Sequence, residues 1–377
     1  MRLPVTAPAR LLMTADAVGG VWTYVLDLAH GLVPHGVQTT IVVLGPEPSP
    51  AQLARARAVP GLAVLVTGLP LDWAVTSPRD VEETSHALAS LAARLEPDLV
   101  QVNSAPLAST GVFRAPLVVA CHSCVTTWWR AVKGAREMPP EFRWRAELTA
   151  RALERADALL APSASFAVAT TEAYGLPQWP RVAHNGRAPL AHVTTEQAPA
   201  GYVMTAGRLW DEGKNVAQLD RVAARLGAPI IAAGPLSGPN GAVARFERLC
   251  TPGALSPNDV AALLIERPVF VSTSCYEPFG LAVLEAAQAG CALVLSDIPT
   301  FRELWNGVAA FVQPDDDDAL ARTLRGLLGD TAQRLRLGAA ARERARRYSI
   351  PAMVKATLSA WGFPSAVAPT SGAESAA

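Results

Sequence analysis

Lysine is scarce in this chain. Of its 33 basic residues only Lys133, Lys214 and Lys355 are lysine, so each carries information that one more arginine would not. Net charge is absent as well: 33 basic residues face 33 acidic ones. No global field therefore draws the chain to nucleic acid or to an acidic polymer, and neither is expected as a partner. No apolar run reaches the roughly 18 residues that a membrane span needs, and the N-terminus has only a short hydrophobic stretch, so the reading is cytoplasmic. Five dispersed cysteines exclude a disulfide framework and suit a reducing compartment. "CHSC", Cys121–Cys124, has no second ligand pair for zinc, so both thiols read as small buried hydrophobes and no metal site is assigned. The G-x-G-x-x-G spacing is missing, which disfavours a nicotinamide cofactor.

What remains is a chain of 377 residues, 50% hydrophobic and 18% charged, long enough for two domains. Short apolar runs alternate with helical patterns: "RLLMT", "TTIVVL", "DLVQV", "PLVVA" and "ALLAPS", then "GYVMTAG", "PIIAAG", "PVFVSTS", "CALVLSD" and "AAFVQP". Continuous apolar strands separated by helices predict parallel sheets covered on both faces. Two series predict two doubly wound Rossmann-like domains, at 1–187 and 201–346. The aperiodic, Pro- and Thr-rich stretch between them gives a linker at 188–200. A helix over 347–362 is expected to cross back to the first domain, followed by a disordered tail at 363–377. Eight arginines between Arg322 and Arg347 follow "PDDDD" and read as a solvated helical face, with peripheral docking on anionic lipid as the other reading.

In open α/β sheets ligands bind beyond the carboxyl ends of the strands, so the motifs of interest follow strands. "PVFVSTS" leads through "CYEPFG" into a helix expected to begin near Phe279. Its N-terminus offers unpaired amides to an anion, phosphate being the obvious guest. Gly280 permits close approach, Pro278 holds the turn, and Glu277 and Glu285 flank the site. Carboxylates beside phosphate make sense as acceptors for sugar hydroxyls, which points to a nucleotide sugar. After "GYVMTAG", Arg208 and Lys214 suit a diphosphate, or else are ordinary surface cations. Gly19 and Gly20 follow the first strand and face the same cleft, or simply make a turn. His122 follows "PLVVA" and is either structural or catalytic. The segment "TTWWRAVKGAREMPPEFRWR" mixes aromatics with cations and suits acceptor stacking, a membrane interface or core packing alike.

With "VGGVWTYVLDLAHGLVPHG", "VAHNGR", "AGRLWDEGKN" and "YEPFGLAVLEAAQAGCALVLSDIPTFREL", the chain resembles the retaining glycosyltransferases of family 4, which share the GT-B fold. The resemblance implies that Arg208 and Lys214 hold the donor diphosphate and that the amides around Phe279, Gly280 and Leu281 cap it. It assigns Glu277 to donor-sugar hydroxyls, Glu285 to the ribose, His122 to the transferring sugar, and Gly19 and Gly20 to a closing loop. The family retains anomeric configuration by front-face attack without a firmly assigned nucleophile, and generally without metal or other cofactor. A donor of the UDP-glucose or GDP-mannose type is expected, with a sugar, lipid-linked or small-molecule acceptor. Asn215 stands where many relatives have Gly, and "NGR" replaces Asn-Gly-Val. A nucleotide-sugar 2-epimerase or a non-catalytic binding protein of similar fold are the alternatives. The first calls for further acid/base groups that the sequence does not single out.

Overall fold

The computed structural model describes residues 10–190 and 198–363. Residues 191–197 of the expected linker, 364–377 of the expected tail and the first nine residues lie outside this range. Two parallel sheets form the framework. The first contains β1 (Arg10–Asp16), β2 (Gln38–Leu44), β3 (Leu62–Val66), β4 (Leu99–Val102), β5 (Leu117–Ala120), β6 (Ala158–Ala161) and β7 (Arg181–Val182), in the order 3-2-1-4-5-6-7. The second contains β8 (Val203–Ala206), β9 (Ile230–Ala233), β10 (Cys250–Gly253), β11 (Val269–Ser272), β12 (Ala292–Ser296) and β13 (Ala310–Val312), in the order 10-9-8-11-12-13.

Each sheet separates two apolar clusters. Along β1, Leu11, Met13 and Ala15 enter one cluster and Leu12 the other, the period of two that a pleated strand imposes. In the second sheet Phe270 and Leu293 face one side, while Val269, Val271 and Val294 face the other. Burial on both faces is why these strands read as continuous apolar runs. The strands β3, β7 and β10 lie at sheet edges and are half-buried or exposed along their length; β3 still reads as an apolar run, whereas β7 and β10 do not.

The strand order reverses between β1 and β4 and again between β8 and β11, so the carboxyl ends of those strands open the two crevices where ligands bind. The helix Ile350–Trp361, capped by Ser349 and closed by Gly362 at φ 84°, returns to the first domain. Its Ile350, Met353, Val354, Leu358 and Trp361 join the cluster built on β1 and the helix Gly20–Leu32. Each such side chain contributes about 2 kcal/mol of transfer free energy.

The arginine-rich stretch is not one solvated face. It divides at Asp330 into helices Asp317–Gly329 and Thr331–Ala345, and two of its arginines turn inward. Arg334 donates to Ala200 O at 2.6 Å and Arg344 to Leu304 O at 2.9 Å, because each carbonyl needs a donor where the helices pack. The acidic start caps and pairs: Asp316 accepts from Ala319 N, while Asp317 and Asp318 bind Arg221 and Arg225. Among the described residues no helix is long and apolar enough to cross a membrane.

Candidate active site

Between the two crevices lies a cavity of about 460 Å³, and all eleven residues singled out from the sequence line it: Gly19, Gly20, His122, Arg208, Lys214, Glu277, Pro278, Phe279, Gly280, Leu281 and Glu285. They come from the turns and helix beginnings that follow β1, β5, β8 and β11, which explains how residues far apart in the chain share one wall.

On the second domain's side, β8 runs into Gly207 and Arg208, and a short 3-10 turn at Glu212–Lys214 follows. Asp211 caps that turn by accepting from Gly213 N at 3.0 Å. Asn215 then adopts the left-handed region at φ 49°, a conformation that Asn tolerates better than most residues, so it serves where a glycine would. After β11 the chain passes through Glu277, Pro278 and Phe279 to Gly280, at φ 93°. The helix starts at Leu281, two residues later than the sequence suggests, because the left-handed Gly280 forms the N-cap. No side chain caps this helix, so its first-turn amides remain available beside the cavity. The Phe279 ring points away, packing edge-on to Tyr348 with centroids 5.6 Å apart, so this residue offers its backbone to the cavity.

The charged groups are not free. Lys214 forms an ion pair with Glu277, Arg208 binds Asp211 at 2.8 Å, and Glu285 binds Arg187 at 2.7 Å. Burial raises the Asp211 carboxyl, but Arg208 outweighs it and holds the group below its ordinary range. Arg208 and Lys214 are thus half-buried and partnered rather than ordinary surface cations.

On the first domain's side, Asp16 at the end of β1 accepts from Val18 N at 2.9 Å and Gly19 N at 3.1 Å, which shapes the glycine loop. Burial pushes the Asp16 carboxyl up, against these amides and the Arg208 charge. A Cβ on Gly19 would lie 3.0 Å from Arg208 Nη1, and one on Gly20 3.2 Å from Leu281 Cδ1, so the loop abuts the second domain. His122 Nε2 sits 3.1 Å from Asn103 Oδ1, and its ring meets Tyr24 edge-on at 4.4 Å. Asn103 is fixed by donating to Thr14 O at 2.7 Å, and Gln101 links it to Trp361. Asn103 Oδ1 only accepts, so neutral His122 carries its proton on Nε2 and keeps Nδ1 as an acceptor. Burial lowers the His122 pKa to about 4.

Several contacts hold the domains together around the cavity. The Tyr276 hydroxyl lies 2.9 Å from Thr127 Oγ1 and accepts from Cys124 N at 3.2 Å. Ser163 Oγ donates to Pro278 O at 2.7 Å. Glu303 accepts from Ala164 N and Ser165 N, capping a helix of the other domain, and also meets His184 at 3.1 Å. The aromatic and cationic segment packs internally and across the interface: Arg145 lies over Trp144, Trp129 over Phe142, and Lys133 binds Glu212. Cys121 and Cys124 are buried free thiols. Among the described residues no three His, Cys, Asp or Glu side chains cluster to hold a metal ion.

Sequence reasoning passed over Asp16, Asn103, Asn185 and Arg187. Asp16 and Asn103 each directly follow or end an apolar strand, which was a usable signal. Arg187 was visible only as the unusual third residue of "NGR", and its partners come from two distant helices.

Residues 18–188 match the family model "Glycosyltransferase Family 4", and residues 247–344 match "Glycosyl transferases group 1". The chain is 42% identical over 94 residues to glycogen synthase of Mycobacterium tuberculosis, a match spanning 24% of this chain and only 23% of that relative. Sucrose-phosphate synthase from Thermosynechococcus elongatus superposes with a TM-score of 0.71 at 18% identity, covering 92% of this chain and 96% of the other. HepE from Anabaena, in complex with UDP-glucose, gives 0.68 at 18% identity, covering 93% and 100%. The chain is therefore a glycosyltransferase of the GT-B fold, its first half matching the Glycosyltransferase Family 4 model and its second half the group 1 glycosyl transferase model.

Proposed function

We propose that the chain transfers a hexose from a nucleoside-diphosphate sugar to an acceptor hydroxyl, with retention of anomeric configuration. The observation that carries this reading is the convergence of Arg208, Lys214, an uncapped helix N-terminus and two glutamates on one interdomain cavity. Arg208, Lys214 and the amides of residues 281–283 receive the diphosphate, whose charge draws Lys214 from Glu277. Glu277 then accepts from the donor sugar's hydroxyls and Glu285 from the ribose, while His122 presents Nδ1 to the transferring sugar. The leaving phosphate takes the acceptor's proton in a front-face attack, and the protein aligns the partners and stabilises charge. Two cations and a helix dipole already meet the departing charge, so this reading requires no metal or other cofactor.

The donor is of the UDP-glucose or GDP-mannose type, in keeping with relatives named as a glycogen synthase and with a UDP-glucose complex. The acceptor is a sugar, lipid-linked or small-molecule hydroxyl, and a lipid-linked one would bring the chain to an anionic membrane surface. Incubation with a panel of nucleotide sugars and acceptors, followed by nucleoside diphosphate release and NMR of the new anomeric centre, tests this. Release with an axial-to-axial product supports it. Inversion removes the retaining assignment, and an epimerised donor or binding without turnover removes transfer altogether.

A further inference from the structure

Glu285 faces the cavity, yet one of its oxygens is already engaged. Arg187 Nη2 binds Glu285 Oε1 at 2.7 Å, and Arg187 Nη1 binds Asp27 Oδ2 at 2.6 Å. The three side chains are largely buried, at 21%, 15% and 12% exposure for Glu285, Arg187 and Asp27. They come from three places: the helix Leu281–Ala289 of the second domain, the first interdomain crossing, and the helix Gly20–Leu32 of the first domain.

The Arg187 backbone is held from both sides. Its amide donates to Tyr348 O at 3.1 Å, and its carbonyl accepts from Gln288 Nε2 at 3.3 Å. Gln288 stands three residues after Glu285, on the same side of their helix. The neighbouring Gly186 presses so closely on the second crossing that a Cβ there would meet Ser349 O at 2.2 Å. Asn185, 6% exposed and lining the cavity, has an Oδ1 without a hydrogen-bond partner. One tripeptide thus reaches from the cavity wall to Glu285, on a backbone with little room to move.

We propose that Arg187 is the positioning residue for Glu285 and thereby sets a preference for ribo- over 2′-deoxyribonucleotides. This rests on the reading of Glu285 as the ribose acceptor. A carboxylate has about four lone-pair positions, so with Oε1 held by a guanidinium it keeps room for two ribose hydroxyls. Arg187 also offsets part of the negative charge of Glu285 beside the donor diphosphate. Asp27 gives the guanidinium a second anchor and so keeps it from turning toward the phosphates, where an arginine is strongly attracted.

The test is calorimetric binding of UDP, GDP and their 2′-deoxy forms to the whole chain and its variants. The wild type is expected to favour the ribo form of its preferred nucleotide by about 10-fold or more, the loss of one charge-assisted hydrogen bond. Arg187→Met is expected to cut that ratio to about 2-fold, and Arg187→Lys to restore it in part. Asp27→Asn, which keeps the arginine, is expected to lower the ratio as well, so the inference stays testable if Arg187→Met does not fold. A merely structural role for Arg187 would lower melting temperature without touching the ratio. If Glu285→Gln abolishes discrimination while both Arg187 variants and Asp27→Asn keep the wild-type ratio, the inference fails and the ribose reading stands. If Glu285→Gln leaves the ratio intact, or the wild type binds neither nucleotide, the ribose reading itself fails and takes the inference with it.

Discussion

Lys214 and Glu277 form an ion pair across the floor of the cavity, although they follow different strands and stand 63 residues apart in sequence. In the proposed reaction this pair separates: the lysine goes to the diphosphate and the glutamate to the sugar. The two residues should therefore fail differently. Lys214→Met is expected to lower kcat/KM by about 10- to 100-fold, the worth of a charge-assisted hydrogen bond, and to weaken nucleoside diphosphate binding. Glu277→Gln is expected to lower turnover without weakening nucleoside diphosphate binding. Steady-state kinetics beside calorimetry separates these outcomes, and parallel losses in both variants would remove the division of roles.

Glu303 ties the domains together and makes acid stability a readout of that tie. Burial raises its carboxyl, but the His184 contact and the Ser165 and Ala164 amides outweigh this and bring it from 4.5 to about 2. A depressed folded-state value means that its stabilisation is present above pH 4.5 and is lost as pH falls toward about 2. Glu303→Gln is expected to cost roughly 2–3 kcal/mol at pH 7 and to flatten the stability profile over that window. Chemical denaturation from pH 2 to pH 7 checks this, and an unaltered acid limb in the variant would overturn it.

His122 should remain neutral throughout the physiological range. Burial lowers its pKa from 6.5 to about 4, so the unfolded chain binds this proton first and stability falls as pH drops from 6.5 toward 4. An NMR titration of the ring is expected to show a midpoint about 4, with the Nε2–H tautomer above it. A midpoint at the ordinary value would contradict the buried placement against Asn103 and Tyr24.

Tyr276 lines the cavity and carries hydrogen bonds to Cys124 and Thr127 of the other domain. Tyr276→Phe leaves Cys124 N without its acceptor and is expected to cost about 1–3 kcal/mol of domain closure. Hydrogen exchange at the Cys124 amide should accelerate, while amides in the centre of β5 keep their protection. Unchanged exchange at Cys124 would place the closure energy elsewhere.

The sequence by itself determined the elements and the ends at which chemistry could sit. Parallel strands buried on both faces leave continuous apolar runs, and glycines, cations and carboxylates directly after those runs must fall at the carboxyl edge of a sheet. Gly19, Gly20, His122, Arg208, Lys214 and the Glu277–Glu285 segment were legible for that reason, while the edge strands β7 and β10 were not, because a strand open to solvent on one side needs no continuous apolar run. Tertiary structure alone decided which charges meet: Lys214 with Glu277, Arg187 with Asp27 and Glu285, and Glu303 with a helix end of the other domain. Local patterning is set by neighbours a few residues away, whereas these pairings depend on how two separately built sheets pack against each other, which no periodicity encodes.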